Sequence, residues 1–187
     1  MEEIAKMLKP TNHWKWCFDK EKNALFLSGL AGGMVYQSNI PTKLLVDCAL
    51  CTNEFTVDDA ANFNSFKECT NGLPLNQFRQ DELILACVTI RRFHKPVQPK
   101  SWFFDYQGAG YEPEEGELVY LKNSVNQGLF VVVESGENAS VCISVDLEGF
   151  FLNSSKLLPF CHPIKVMHDR LARAELADSF APVALVG

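Results

Sequence analysis

The sequence predicts an α+β fold in two domains, a mixed N-terminal domain with a β-meander plus two helices, followed by a smaller β domain. Three observations support this prediction. Short segments before Ile40 alternate apolar and polar residues, two stretches between Thr56 and Phe93 have helical features, and short strand-like segments dominate after Pro96. The chain has 187 residues, which is enough for one large domain or two small ones.

The N-terminal domain opens with a predicted meander of three strands. HWKWCF alternates large apolar and polar residues, ALFLSGL is a second apolar run, and GGMVYQS is a third. Residues two apart on a strand share a face, so Trp14 and Trp16 point to the same side. Two tryptophans on one face are more often core residues than a ligand platform, and core packing is the prediction.

The first helix is predicted from the segment TVDDAANFNSFKEC. Thr56 and Asp59 have the spacing of a capping box, and an acidic residue in the first turn is favoured by the helix dipole. Gly72 is suited to a C-terminal cap of this helix. The preceding segment, KLLVDCAL, is compatible with a strand or with a helical turn, and its pattern does not decide between them.

The second helix has the clearest pattern in the chain. Apolar residues recur at helical spacing between Asn76 and Phe93, as one face of a helix requires. Pro96 ends the helix because the residue before a proline avoids helical geometry. KPVQP is then a stiff, extended connector. We therefore predict a domain boundary here, with an N-terminal domain at residues 1–97 and a C-terminal domain at residues 98–187.

The C-terminal domain is predicted to be a small SH3-like β-barrel. Short strands at regular spacing, with turns rich in Gly, Asn, Glu and Ser, are typical of such barrels, and closure removes exposed strand edges. PIKVMHDRLARAEL has apolar residues at i, i+3 and i+7, which predicts a short amphipathic segment packed on the barrel. The tail ADSFAPVALVG has no periodicity and is typical of a mobile terminus. The five predicted strands are SWFFDY, ELVYLKN, GLFVVVE, ASVCISV and GFFLN.

Composition and charge argue against several classes of function, in particular binding to nucleic acids and to membranes. The formal net charge is -6, and charged residues make up 21% of the chain. A general nucleic-acid coat and a binder of anionic membranes are both disfavoured, because both partners reward positive charge. The first residues, MEEIAKMLKP, lack the apolar region of a secretory signal, and no window is apolar for long enough to span a membrane. We therefore expect a soluble, cytoplasmic protein that binds neither nucleic acid nor membrane.

The cysteines and histidines do not complete a catalytic or metal site. The seven cysteines are odd in number and irregularly spaced, which argues against a disulfide framework, and most are expected to be small buried hydrophobic residues. Cys48 and Cys51 form one CxxC, but a zinc site needs four ligands, so two packed cysteines are predicted. Cys142 lies in an apolar strand and is expected to be buried and inert. We predict no cofactor, no metal and no enzymatic activity.

A basic and aromatic cluster stands out against the acidic composition. The helix dipole favours positive residues at the C-terminal end of the second helix, and this accounts for the first three members of the cluster. It does not account for the last two, which lie beyond the helix, where Trp and cationic residues often anchor protein interfaces. A protein-binding groove and plain solvation both remain open. The cluster consists of Arg91, Arg92, Lys95, Lys100 and Trp102.

Six segments of the chain together resemble the cell-division protein ZapC family. They occur in the order of the family and extend from about Trp14 to Leu171. Each segment is a weak motif alone, whereas the ordered set is specific. The segments are NHWKWCFD, GMVYQS, VDDA, IRRFHKPVQPKSWFF, VVVESGENASVC and IKVMHDRL.

The resemblance implies a non-catalytic adaptor of cell division. The family binds FtsZ, the tubulin-like GTPase that polymerises into the cytokinetic Z-ring at midcell. It promotes lateral bundling of FtsZ protofilaments, stabilises the ring and lowers GTP turnover by FtsZ. The resemblance also implies a two-domain α+β protein, in which a mixed N-terminal domain is followed by a small β-barrel domain and each domain has a pocket. Bundling requires two contact surfaces per particle, from two pockets or from self-association, and whether the chain is a monomer or a weak oligomer is left open.

The resemblance also implies where the partner binds. Leu27 and Met34 fall in the block that borders the N-terminal pocket, and Lys95, Lys100 and Trp102 fall in the block at the domain junction. This chain has Gly32 where the family has asparagine in a LANGM block. The predicted partner-binding residues are Leu27, Met34, Arg91, Arg92, Lys95, Lys100 and Trp102.

Two alternatives come from other function classes. Small barrels often bind nucleic acid, so a nucleic-acid-binding module or another protein-interaction module is the second hypothesis, although the net charge argues against the former. A cysteine-dependent enzyme is the third, and a depressed thiol pKa would be its first sign.

Overall fold

The computed structural model describes residues 7–174, which form two compact units. Within those residues, the first unit comprises residues 7–71 and Leu75–Pro96, and the second comprises Gly72–Pro74 and residues 97–174. Helices and antiparallel sheets make this an α+β protein, as predicted. The domain boundary after residue 97 stays a prediction, and the predicted mobile tail lies outside the described residues.

The first unit contains a four-stranded antiparallel sheet with the order β3-β2-β1-β4. The predicted meander is confirmed, because β1 pairs with β2 and β2 pairs with β3. The third strand is much shorter than the segment GGMVYQS, since only two residues pair. The strands are β1 Lys15–Asp19, β2 Ala24–Ser28, β3 Tyr36–Gln37 and β4 Asn53–Glu54.

Two helices, α1 Val57–Thr70 and α2 Gln77–Phe93, complete the first unit. The predicted capping box at the start of α1 is present, because the Thr56 side chain accepts from the Asp59 backbone and the Asp59 carboxylate accepts from the Thr56 backbone. The Asn76 side chain caps α2 in the same way, by accepting a hydrogen bond from the Arg79 N–H at 2.8 Å. These caps satisfy N–H groups that a helix N-terminus otherwise leaves unpaired.

Two predicted features of the first unit were resolved by the structure. KLLVDCAL follows the helical-turn alternative rather than the strand, because two 3₁₀ turns, Thr42–Leu44 and Asp47–Leu50, cover most of it. The prediction of a Gly72 cap on α1 is wrong, because Gly72 does not have the positive φ that a left-handed cap requires. The helix ends at Thr70, and Asn71 closes it in a right-handed helical conformation.

The core of the first unit is built on the two tryptophans of the N-terminal strand region. Trp14 is packed edge-on against Phe63 of α1, with 5.6 Å between ring centroids. Trp16 is packed edge-on against Phe93 of α2 at 5.4 Å. Both tryptophans are buried, which confirms the prediction of core packing. Edge-to-face pairs of this kind add to the stabilisation that comes from apolar burial.

The second unit contains a five-stranded antiparallel sheet with the order β10-β7-β6-β5-β11 and a separate hairpin of β8 and β9. The apolar segments ELVYLKN, GLFVVVE, ASVCISV and GFFLN each contain a strand, as predicted. The strands are β5 Leu118–Lys122, β6 Gln127–Ser135, β7 Ala139–Ser144, β8 Phe150–Phe151, β9 Leu157–Leu158, β10 Pro163–Met167 and β11 Ala172–Arg173.

The closed SH3-like barrel is not confirmed. In the strand order of the five-stranded sheet, β10 and β11 are the two edges, and no pairing in residues 7–174 joins them into a closed barrel. The sheet instead covers one apolar core, in which Phe104, Phe130 and Phe150 are packed together. The β8–β9 hairpin contributes Phe150 and Leu158 to that core. In a closed barrel the sheet itself would bury this apolar surface, whereas here the hairpin covers part of it.

Two further predictions in the second unit are wrong. SWFFDY is not a strand, because Ser101–Phe103 form a 3₁₀ turn. The helical spacing in PIKVMHDRLARAEL does not produce a helix over its described part, residues 163–174, because Pro163–Met167 form β10. Ile164 and Val166 are buried in β10 while their neighbours are half-buried, so the true period is two. The spacing i, i+3 and i+7 arose from a strand that runs into a short 3₁₀ turn, His168–Arg170.

No helix in residues 7–174 combines the length and the hydrophobicity that crossing a membrane requires.

Candidate functional site

The second unit has a cleft of about 530 Å³ with an exposed tryptophan on its wall. One wall is the segment that begins at the 3₁₀ turn, and the other comes from the β5–β6 turn and from the segment after β8. Its lining mixes aromatic rings with polar side chains, as sites that bind protein segments commonly do. The lining residues are Trp102, Phe103, Phe104, Asp105, Asn123, Ser124, Val125, Leu152, Asn153 and Ser154.

Trp102 is held outward by a turn that is tied at its N-terminal end to β10. The Lys100 N–H donates to the Lys165 carbonyl at 2.8 Å, and the Met167 N–H donates to the Ser101 hydroxyl at 2.8 Å. Phe104, two residues further on, is buried in the core of the unit, whereas Trp102 is 71% exposed. An indole that is exposed on a fixed turn loses little conformational freedom on binding, which favours its use as an anchor.

Asn123 joins the two walls of the cleft. The two N–H groups of its side-chain amide are shared among the carbonyls of Phe103 at 3.1 Å, Phe151 at 3.0 Å and Leu152 at 3.2 Å from the nitrogen. Its oxygen accepts from the backbone N–H of Val125 and of Asn126, both at 2.9 Å. One side chain therefore satisfies backbone groups on three segments, so the cleft is preformed.

Lysines lie close to this cleft. Lys100 is exposed and begins the turn that carries Trp102. The Lys156 ammonium lies 5.3 Å from the centroid of the Phe103 ring, a distance at which a cation and an aromatic face attract each other. Asp105 is an exposed carboxylate on the same lining. The cleft thus offers aromatic surface with one carboxylate on its lining and two lysines nearby.

In the first unit, Arg92 is part of the fold. Its guanidinium donates to the Asp59 carboxylate at 2.5 Å and lies 5.1 Å from the Phe93 ring centroid. Asp59 is buried and also accepts from the Trp16 indole N–H at 3.2 Å and from the Thr56 N–H at 3.0 Å. This network ties α1, α2 and β1 together, so the first role of Arg92 is structural.

The other predicted residues of the first unit have unequal access to solvent. Lys95 is exposed, and its backbone N–H donates to the Leu44 carbonyl at 2.7 Å. Met34 is 52% exposed, whereas Leu27 is fully buried in β2. Arg91 is half-buried in the last turn of α2. Lys95 and Met34 can therefore touch a partner directly, and Leu27 cannot without a rearrangement of the sheet.

A second cavity, of about 410 Å³, lies in the first unit beside the β1–β2 turn. Its lining is polar and includes two lysines, Lys22 and Lys43, together with residues Gln37–Thr42. Neither Leu27 nor Met34 belongs to this lining. The pocket that the resemblance implies next to those two residues therefore stays a prediction.

Sequence reasoning missed several residues of the cleft. Asn123 lies in an asparagine-rich turn, and nothing in the spacing of a turn shows which segments its side chain joins. Val125, Phe151 and Leu157 are exposed apolar residues of the second unit, with 48%, 44% and 43% of their surface accessible. The last two lie in the β8–β9 hairpin and, unlike Val125, are not part of the cleft lining.

The thiols differ widely in their exposure to solvent. The burial of Cys142 in β7 is confirmed, and desolvation raises the pKa of its thiol to about 12. Desolvation also raises the pKa of the buried Cys87 thiol. The predictions that most cysteines are buried and that CALC is packed are wrong, because only Cys87, Cys142 and Cys161 are buried, and Cys48 and Cys51 are exposed. Residues 7–174 contain no cluster of three or more His, Cys, Asp or Glu that could hold a metal ion.

Comparison with known families covers nearly the whole chain. Residues 7–95 match the family model described as cell-division protein ZapC, N-terminal. Residues 96–177 match the model described as cell-division protein ZapC, C-terminal.

Curated relatives agree with these matches, and each is named cell division protein ZapC. The relative from Vibrio vulnificus (strain CMCP6) is 54% identical over 181 residues, which cover 97% of this chain and 100% of the relative. The relative from Vibrio cholerae is 52% identical over 89% of this chain and 92% of its own length. The relative from Proteus mirabilis is 36% identical over 89% of this chain and 90% of its own length. The chain therefore belongs to the cell-division protein ZapC family.

Proposed function

We propose that this protein is a non-catalytic adaptor that binds polymerised FtsZ in the cytoplasm at midcell, bundles its protofilaments, stabilises the Z-ring and lowers its GTP turnover. Membership of the ZapC family supports a role in cell division. The observation that carries the proposal is Trp102, which is 71% exposed on a fixed turn beside a preformed cleft. A large exposed ring in such a place is typical of an interface anchor.

The proposed contact residues are fewer than the sequence suggested. In the second unit they are Lys100 and Trp102. In the first unit they are Lys95 and Met34, both of which are exposed. Arg92 is assigned to the ion pair with Asp59, and Leu27 and Arg91 are assigned to supporting positions because they are buried or half-buried.

Charge complements the aromatic surface in this proposal. The formal net charge of the chain is -6, so exposed lysines beside a cleft are a local exception. An acidic surface of FtsZ would be steered towards them, and steering of this kind raises the association rate and makes it salt-dependent. The overall negative charge would limit binding to other acidic molecules. The same charge opposes the nucleic-acid alternative.

Co-sedimentation of the protein with FtsZ filaments assembled in the presence of GTP tests the proposal. We expect Trp102→Ala to weaken pelleting by about 30-fold in Kd, which corresponds to the loss of one strong anchor. We expect Lys100→Asp to weaken it by about 3- to 10-fold at low salt and by less at high salt.

Two exposed residues of the first unit serve as matched controls. Phe78 is 63% exposed at the start of α2, and Lys20 is exposed in the β1–β2 turn. Phe78→Ala and Lys20→Asp remove the same kinds of group from other places and should pellet as the unmodified protein does. If folded Trp102→Ala and Lys100→Asp also pellet normally, the cleft is not the binding site.

Bundling and turnover need separate measurements. Electron microscopy of FtsZ filaments should show fewer lateral bundles with Trp102→Ala than with the unmodified protein at equal concentration. Phosphate release by FtsZ should fall on addition of the unmodified protein and fall less with Trp102→Ala. A Trp102→Ala protein that bundles filaments and lowers phosphate release in full would assign both effects to another surface.

A further inference from the structure

The exposed CxxC, Cys48 and Cys51, lies on a fixed turn of the first unit and has no role in the proposed function. The segment Asp47–Leu50 is a 3₁₀ turn, and the Cys51 N–H closes it by donating to the Cys48 carbonyl at 3.3 Å. We propose that these two thiols are a site of reversible oxidation, at which a small disulfide converts them into an intramolecular Cys48–Cys51 disulfide.

The backbone already brings the two cysteines within bonding range. Cys48 lies inside the 3₁₀ turn, and Cys51 is the extended residue that caps it, three residues and thus one 3₁₀ turn further along the chain. A turn closed by an i to i+3 hydrogen bond keeps its terminal Cα atoms within about 7 Å. Disulfides span Cα separations of about 4.4–6.8 Å. Rotation of the two side chains is therefore the main movement that the bond requires.

Contacts with the core and with β4 hold the turn that carries Cys48 and Cys51 in place. Ala49, between the two cysteines, is fully buried, and the Val46 N–H donates to the Phe93 carbonyl at 2.8 Å. The Asn53 side chain donates to the carbonyl of Cys48 at 2.8 Å and to the carbonyl of Cys51 at 3.2 Å. One residue of β4 thus clamps the backbone of both cysteines, which leaves the two thiols exposed and their spacing fixed.

The reaction is an ordinary thiol–disulfide exchange. One cysteine thiolate attacks a sulfur of R–S–S–R, forms a mixed disulfide and releases one thiolate R–S⁻. The second cysteine thiolate attacks the protein sulfur of the mixed disulfide, forms the Cys48–Cys51 bond and releases the second R–S⁻. The cysteine pair loses two electrons and two protons, and the small disulfide becomes two R–SH molecules. A reducing thiol reverses both steps.

The other thiols are less accessible. Cys87, Cys142 and Cys161 are buried, and Cys17 and Cys69 are half-buried. Burial raises the pKa of the Cys69 thiol, with a further contribution from the Glu68 carboxylate. The thiolate is the reactive form, so the exposed pair should react first.

Oxidised glutathione applied to the full chain, followed by alkylation and peptide mass mapping, tests the proposal. The peptide that carries Cys48 and Cys51 should lose two hydrogen masses, resist alkylation and recover on treatment with dithiothreitol. The variants C48S and C51S have no second thiol in the turn, so the remaining cysteine should hold glutathione. The glutathione adduct should be at least about tenfold more abundant in these variants than in the unmodified protein, because the second step is intramolecular.

The double variant C48S/C51S is the control for the other thiols. It should keep its five remaining cysteines reduced over the same time, and circular dichroism should show that all variants are folded. Stable glutathione adducts on both cysteines of the unmodified protein would overturn the proposal. Disulfide-linked dimers, or a bond from either residue to Cys17, would overturn it equally.

Discussion

Removal of the Asp59 carboxylate should destabilise the first unit far more than removal of its neighbour. Asp59 is buried and accepts hydrogen bonds from three groups, the Trp16 indole, the Thr56 backbone and the Arg92 guanidinium. We expect Asp59→Ala to lower the free energy of unfolding of this unit by about 3 kcal/mol, a magnitude typical of a broken buried network.

The three contacts contribute differently to that value. A buried indole N–H left without an acceptor costs about 1–3 kcal/mol. Loss of the Asp59 half of the capping box costs about 0.5–1 kcal/mol. The Arg92 side chain is 27% exposed, so solvent screens the ion pair, and we assign it about 1–2 kcal/mol. Contributions of neighbouring contacts are not additive, and about 3 kcal/mol is the expected net effect.

Urea denaturation followed by tryptophan fluorescence measures this change. Trp14 and Trp16 are buried in the first unit, whereas Trp102 is exposed even in the folded chain. The emission shift on unfolding therefore comes mainly from the first unit. With an m-value of about 2 kcal/mol/M, a loss of 3 kcal/mol lowers the urea midpoint by about 1.5 M.

Asp58 provides the matched control, because it is exposed in the same first turn of α1. Asp58→Ala should change the free energy of unfolding by less than about 0.5 kcal/mol. In a double-mutant cycle, Asp59→Ala and Arg92→Ala should show a coupling of about 1–2 kcal/mol. Equal midpoints for the two aspartate variants, or zero coupling with Arg92, would refute the assignment of this network to stability.

Three further predictions concern a turn, the cleft and pH. Gly29→Ala should lower the free energy of unfolding by about 3 kcal/mol or more in urea denaturation, because the new Cβ would lie 2.1 Å from the His13 carbonyl oxygen at a φ of +86°. Gly32→Ala is the control: Gly32 has a φ of +72° but open space around it, so the loss should be only about 1–2 kcal/mol. Asn123→Ala should lower the thermal unfolding midpoint and also weaken co-sedimentation of the protein with FtsZ, because it removes the side-chain hydrogen bonds that hold the two walls of the cleft together. Desolvation lowers the pKa of the half-buried His162, so the unfolded chain binds its proton more readily and the stability of the second unit should fall as the pH drops below about 6.5. Urea midpoints of His162→Asn should lack that component when they are followed by circular dichroism, since tryptophan emission reports mainly on the first unit.

Local rules predicted the elements whose signals are local. The capping box at Thr56, the helical stripe that ends at Phe93 and the apolar alternation around Trp14 all depend on residues within one or two turns of each other. Each of these elements lies where its pattern indicates. In such segments the intrinsic preference of the chain and the tertiary fold agree.

The errors arose where distant contacts decide the conformation. Trp102 lies in an apolar run that has strand character, but Phe104 is drawn into the core and Ser101 accepts from the Met167 backbone, which leaves a 3₁₀ turn between them. Cys48 and Cys51 are exposed because Ala49 is the residue that enters the core. Neither contact can be predicted from the spacing of residues in the local sequence.

Distant contacts also decide which cations of the basic and aromatic cluster are structural and which are free to meet a partner. Arg92 and Lys95 are equally basic in the sequence, yet only Arg92 has a buried carboxylate within reach, and its planar guanidinium can serve that carboxylate while it covers the Phe93 ring. Lys95 and Lys100 are exposed, and an exposed ammonium acts at long range through its charge. Loss of binding in an Arg92 variant would therefore reflect a weakened fold. Loss of binding in a Lys100 variant, with unchanged stability and a changed salt dependence, would reflect contact with the partner.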